Sequence, residues 1–176
     1  MLKNDVIVEK KKSKFSLRNI IFTTIFTIAF IVQIVMMLII YNELNLTFLV
    51  YIGYIIWIFS LYFGLIPFWI FKKIGGVEKG KSYVYTNKLV KTGPYAIIRH
   101  PQYLGGILFT ISITMWTQVW LSLVLSVIII ALTYQWTYTE DNNLIEKFGD
   151  DYKRYKEKVP RLNPIVGIFK YFFRKK

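Results

Sequence analysis

Two short runs hold polar side chains at spacings suited to chemistry. The first is Gly93-Pro94-Tyr95-Ala96-Ile97-Ile98-Arg99-His100-Pro101-Gln102-Tyr103-Leu104-Gly105. Gly93-Pro94 makes a turn, and Pro101 suits the first turn of a helix, where its missing N–H costs nothing. Arg99 and His100 then stand at the amino end of that helix, where free backbone donors and the helix dipole favour an anion. A ligand carboxylate could dock there. The plainer alternative has Arg99 reaching for lipid phosphate and His100 packing at the interface. The second run begins with Trp136 and Glu140, four apart and so on one helical face, with Asp141 following. Leu144, Phe148, Tyr152, Tyr155 and Val159 then recur every three or four residues. That spacing predicts an amphipathic helix, broken near Gly149 and ended by Val159-Pro160-Arg161. The plainer alternative is a solvated helix lying on a membrane, its basic face on headgroups.

The elements that must position these runs are apolar. Of the 176 residues 55% are hydrophobic, mean hydropathy is +0.41, and only 19% are charged, against about 25% for a soluble domain. Residues 19–42, 44–71 and 102–139 carry no charge at all. The first two stretches match the roughly 20 apolar residues of a spanning helix. The third, 38 residues, would extend about 57 Å as one helix. It reads instead as a tight helical hairpin with its turn around residues 116–120. The fold expected is therefore an all-α integral membrane protein. It has about four transmembrane helices, the last two a tight hairpin, plus a cytoplasmic C-terminal amphipathic helix.

Charge sets the orientation. Of 23 basic residues, six lie in residues 1–18 (Lys3, Lys10, Lys11, Lys12, Lys14, Arg18), seven in 72–101 and ten from Glu140 onward. The short links at 42–47 and 117–119 hold none. Basic residues in short loops favour the cytoplasmic side, which puts both termini and the central loop there, in the cell membrane or an internal membrane. The layout is one membrane domain, 1–176. It comprises a basic amino terminus (1–18), two spans (19–71), a cytoplasmic cofactor loop (72–101), a hairpin (102–139) and a cofactor-covering tail (140–176). The polar amino-terminal stretch of about 18 residues lacks the pattern of a cleavable signal peptide, so the first helix is expected to remain.

Several function classes fall away. The net charge of +13 is accounted for by orientation and by anionic headgroups, so the bilayer is the expected partner and nucleic acid is not. No cysteine is present, which excludes a disulfide framework, a thiolate metal site and a cysteine nucleophile. With His100 the single histidine, no metal is expected. The spans offer Gln33, Gln135 and scattered hydroxyls but no ionisable path, which argues against an ion-coupled pump. Pro67 should kink the second span, Gly53 and Gly64 should permit close helix packing, and most tryptophans suit interfacial belts. Gly75-Gly76 lacks the setting of a phosphate loop.

Taken together, the two runs resemble a known family. Gly-x-Tyr-x-x-x-Arg-His-Pro-x-Tyr-x-Gly at residues 93–105 looks like the core of the isoprenylcysteine carboxyl methyltransferases and related phospholipid methyltransferases. Glu140, Phe148-Gly149, Tyr152, Tyr155 and Val159-Pro160-Arg161 match their carboxyl part. The resemblance covers residues 85–165.

It implies a multi-pass membrane enzyme that uses S-adenosylmethionine without a Rossmann domain and acts on an amphiphilic methyl acceptor. Carried over by position, cofactor contacts would come from residues 87–90 (Lys88, Leu89 and Val90 among them), Tyr95, His100, Pro101, Gln102, Tyr103 and Glu140. His100 with its helix-start donors would suit the cofactor carboxylate. Glu140 would suit its ammonium or ribose hydroxyls, and Tyr95 and Tyr103 its sulfonium or adenine. Arg99 and Glu140 would position rather than attack, since no covalent catalyst is needed. One position departs from the pattern. Where the eukaryotic carboxyl methyltransferases carry an arginine four residues before this glutamate, the chain has Trp136. Trp136 and Arg161 are the substrate-side candidates: an aromatic tolerates an apolar or cationic headgroup, and Arg99, Arg161 or a tail lysine could replace the lost counter-ion. The alternatives are a phospholipid N-methyltransferase, a nicotinamide-dependent sterol reductase with a similar carboxyl half, and a non-enzymatic four-helix carrier or scaffold.

Overall fold

A computed structural model of the chain describes residues 17–76 and 86–174. Lys3, Lys10, Lys11, Lys12 and Lys14 of the amino terminus, residues 77–85 of the central loop, and Lys175 and Lys176 lie outside the described residues.

Long uncharged runs become long helices because a helix satisfies every backbone polar group within one segment, as a bilayer requires. Among the described residues the secondary structure is helical throughout: α1 (Leu17–Ile39), α2 (Thr47–Ile74), a 3₁₀ turn (Gly93–Ala96), α3 (Pro101–Thr117), α4 (Trp120–Phe148), α5 (Asp150–Lys158) and α6 (Pro164–Arg174). Three of these, α1, α2 and α4, are long and apolar enough to cross a membrane. The last turn of α2 carries Lys72 and Lys73, cations that favour the negative end of the helix dipole. At 29 residues α4 extends about 44 Å, more than the ~30 Å hydrocarbon core. Its apolar part and its polar end, from Glu140 to Phe148, form one unbroken rod.

Small residues let α2 and α3 approach closely. Val50, Gly53, Ser60 and Pro67 make the buried face of α2. A Cβ on Gly105 of α3 would lie 2.6 Å from the backbone nitrogen of Gly64, so no larger residue fits that crossing. Ser60 Oγ donates to the Gly105 carbonyl at 2.8 Å, which fixes the register of the pair. The far end is closed by polar clasps. Asn42 N–H donates to the Trp116 carbonyl at 2.7 Å. Gln118, left-handed at φ 57° where α3 ends, accepts from Leu46 N–H at 3.1 Å and donates to its carbonyl at 3.0 Å.

The predicted carboxyl-terminal amphipathic helix is two helices. The chain turns at Gly149 (φ 56°), and α5 folds back so that Tyr152, Tyr155 and Val159 pack with Leu89, Leu144, Ile145 and Phe148. A strap follows: Arg99 N–H donates to the Pro160 carbonyl at 2.9 Å and His100 N–H to that of Arg161 at 3.2 Å. The tail is thereby bound across the start of α3.

Candidate active site

The end of α2, the 3₁₀ turn, the start of α3 and the end of α4 converge, and α5 closes over them. Between them lies a cavity of about 540 Å³, within the ~300–1,000 Å³ span of small-molecule and cofactor sites. Lys88, Leu89, Val90, Tyr95, Arg99, His100, Gln102, Tyr103 and Glu140 all line it. Positions up to 52 residues apart (88 to 140) are thus gathered around one space. Phe68 and Phe71 from α2, Asn143, Leu144, Lys147 and Phe148 from α4, and Tyr152 and Tyr155 from α5 complete the wall. Pro101, Trp136 and Arg161 are not part of it. Pro101 is buried as the first residue of α3. Trp136 packs on Phe26 of α1, ring centroids 4.8 Å apart. Arg161 lies 3.5 Å over the ring of Tyr138.

Behind the cavity stands a side chain that sequence reasoning noted only as the neighbour of Glu140. Asp141 is 1% exposed and accepts from four side chains. Arg99 Nη1 reaches both of its oxygens at 2.8 Å. His100 Nε2 is 2.9 Å from Oδ1, and the Tyr152 hydroxyl donates to the same oxygen at 2.6 Å. Arg161 Nε and Nη2 donate to Oδ2 at 3.1 and 3.0 Å. One carboxylate therefore joins α3, α4, α5 and the strap. A signal for it existed in the adjacent cations Arg99-His100, which cannot be buried without a counter-charge. Which of the chain's ten acidic residues would supply it was not written in any local pattern.

The electrostatics follow by counting. Two guanidiniums face one carboxylate, so the hub keeps one unit of positive charge even with His100 neutral. The expectation that His100 offers its own helix-start donor to a ligand meets two facts: its N–H is taken by the Arg161 carbonyl, and its Nε2 by Asp141. What remains open lies beside it. Of the five buried side-chain atoms without a hydrogen-bond partner among the described residues, Arg99 Nε and the Tyr95 hydroxyl belong to this site, while Asn42 Oδ1, Trp116 Nε1 and Thr117 Oγ1 lie at the far end of the bundle. Burial first, and then neighbouring Tyr155, push the ionisation of Tyr95 far above the usual tyrosine range, so its hydroxyl stays a donor. The Tyr155 hydroxyl in turn donates to the Tyr95 carbonyl at 2.6 Å and holds the 3₁₀ turn in place. Buried donors left over in a native protein call for a ligand or ordered water.

A family model described as phospholipid methyltransferase matches residues 49–151, from α2 to the start of α5. Among curated proteins, the chain is 34% identical over 79 residues to a protein-S-isoprenylcysteine O-methyltransferase of Schizosaccharomyces pombe, covering 44% of this chain and 34% of the relative. It is 36% identical over 96 residues to a protein of the same name from Homo sapiens and 35% to one from Mus musculus, in each case 51% of this chain and 31% of the relative. The chain thus spans about a third of the length of the curated relatives it matches. No solved structure gives a significant match.

Proposed function

Because the chain belongs to the phospholipid methyltransferase family, we propose that it is a membrane-embedded methyltransferase using S-adenosylmethionine on an amphiphilic, lipid-like acceptor. The observation that carries this is the cavity where the two polar runs meet, with its two unpartnered buried donors.

The residues present fit that cofactor. Arg99 Nε and the surplus positive charge of the Asp141 hub suit its carboxylate, with the Tyr95 hydroxyl as a neutral donor. Glu140 suits the ammonium or a ribose diol, and the rings of Phe71, Tyr95 and Tyr103 suit a flat or cationic group. When bound, the sulfonium supplies an activated methyl group. The chain's own task is alignment, which is worth roughly 7–11 kcal/mol of a bimolecular barrier. His100 acts here as a strut: it holds Asp141 and turns its ring edge-on to Tyr103, centroids 5.6 Å apart.

On the acceptor side, two cations line the cavity apart from the hub, Lys88 and Lys147. They can face a carboxylate in place of the arginine that Trp136 replaces. Arg161 is already committed to Asp141, and Trp136 to Phe26. An oxygen acceptor such as a carboxylate accords with the relatives, which are named O-methyltransferases. An apolar tail would lie toward Phe68 and the bilayer. The proposed topology has four crossings with both termini cytoplasmic, the cavity at the cytoplasmic surface. At 17 residues, about 26 Å, α3 reaches the short limit of a span.

The test is calorimetric titration of S-adenosylmethionine into the detergent-purified chain beside Glu140→Gln. Saturable one-to-one binding is expected, weakened about tenfold or more by loss of a charge-assisted hydrogen bond. A folded wild type that binds none would overturn the proposal.

A further inference from the structure

The last helix presents its apolar side outward. At about 100° per residue, Ile165, Val166, Ile168, Phe169, Phe172 and Phe173 of α6 fall within an arc of about 160°. All six are exposed, Ile165 at 78% and the three phenylalanines at about 65%. The opposite side meets the protein. Gly167 is buried there, and a Cβ on it would lie 2.1 Å from the Ile97 carbonyl, so only glycine lets α6 seat on the loop that leads into α3. A helix that docks through its narrow face and leaves a continuous apolar face free needs an apolar surroundings, since such a face in water drives association.

Beside that helix is a second cleft, of about 360 Å³, lined by Lys91, Ala96, Arg154, Tyr155, Lys158, Val159 and Tyr171. Three cations surround its apolar floor. Arg154 shares its charge with Asp151 at 2.6 Å; Lys91 and Lys158 are exposed beside it. Tyr155 also lines the larger cavity, so one side chain separates the two. The cleft lies at the same end of the bundle as Lys72 and Lys73, where the apolar helices give way to charge.

We propose that this cleft and α6 together bind one anionic phospholipid of the surrounding bilayer. Its phosphate sits between Lys91 and Lys158 and its acyl chains run along the outward face of α6. Basic side chains near a membrane surface attract anionic headgroups, and an amphipathic helix with bulky apolar residues lies in the interface plane. Sequence continues the pattern, since Lys175 and Lys176 follow α6 directly. The lipid is separate from any methyl acceptor. The inference rests on membrane placement and would survive failure of the methyltransferase reading.

Native mass spectrometry of the full chain in neutral detergent tests it, with dioleoylphosphatidylglycerol or dioleoylphosphatidylcholine added at equal concentration. One retained phosphatidylglycerol per chain is expected, preferred roughly tenfold over phosphatidylcholine. Lys91→Glu with Lys158→Glu, both exposed and so harmless to folding, should abolish the preference. Lys72→Glu with Lys73→Glu should keep it, and inorganic phosphate at the lipid's concentration should not displace the lipid. The proposal is overturned if the Lys91/Lys158 variant keeps the preference, if the Lys72/Lys73 variant loses it equally, or if phosphate alone displaces the lipid.

Discussion

Two buried polar clusters sit at different depths in this bundle, and they are built differently. In the middle, Gln33 of α1 is fully buried. Its Nε2 donates to Ser126 Oγ at 2.7 Å and to the Thr110 carbonyl at 3.2 Å, while Thr110 Oγ1 donates back to its Oε1. Thr114 and Ser122 complete the set, so α1, α3 and α4 are joined by neutral groups that satisfy one another. Where α3 begins and α4 ends, Asp141 draws in two guanidiniums, an imidazole and a phenol. That cluster carries surplus charge and borders donors without partners. Self-satisfied polarity inside a membrane protein is glue. Polarity that stays unbalanced beside a cavity marks where something binds.

Removing the centre of the charged cluster should do the most damage. Asp141→Asn leaves buried Arg99 and partly buried Arg161 without a counter-ion, a loss of about 3–5 kcal/mol. The expected outcome is a fall in thermal unfolding temperature in detergent larger than that of any other single change considered, with cofactor affinity lost alongside. A variant as stable as wild type would show that the hub is not what ties α3, α4 and the strap. Tyr152→Phe removes a single hydrogen bond to that carboxylate, about 1.5–3 kcal/mol. Its pH dependence has a definite sign. Burial, then the bond to Asp141, raise the folded ionisation of Tyr152 well above 10. The stabilisation is therefore full below about pH 10 and lost as pH climbs through the folded value. Alkaline unfolding should be steeper in wild type than in Tyr152→Phe.

The neutral cluster should respond more mildly and without touching chemistry. Gln33→Ala deletes donors to Ser126 and the Thr110 carbonyl, for about 0.6–2 kcal/mol on the scale of such bonds between membrane helices. Thermal unfolding should fall by that amount while S-adenosylmethionine titration stays unchanged. A drop in affinity would mean the two clusters are coupled along α3 and α4.

Much of this contrast was legible in advance, unevenly. Gly93–Gly105 and Glu140 were readable because each motif is contiguous and helix-end physics applies locally. The break at Gly149 was readable from the glycine interrupting a periodic run. Asp141 escaped because its four partners at 99, 100, 152 and 161 meet only after α5 and the strap have folded back, which no single period encodes. Trp136 shares a helical face with Glu140, yet a side chain's neighbour across the bundle, here Phe26, depends on how α1 rolls against α4. The amphipathic α6 is written in its i, i+3, i+4 apolar spacing, but the seat of Gly167 is not, because its neighbour Ile97 lies 70 residues away in the chain.

The smallest expected change separates the two clusters most cleanly. The Tyr95 hydroxyl is buried at 5% residue exposure and has no partner among the described residues. Deleting it therefore removes an unsatisfied group instead of breaking a bond. Tyr95→Phe should leave the free protein's stability unchanged or raise it, by up to about 1–3 kcal/mol on mutational scales. If that hydroxyl donates to the cofactor, the same change should weaken S-adenosylmethionine binding by about five- to tenfold, the worth of one neutral hydrogen bond. Opposite signs in unfolding and titration are the signature of a donor held in reserve for a ligand. A fall in stability with affinity unchanged would place Tyr95 with Gln33, as structure alone, because a group that serves only packing has no bond to give the cofactor.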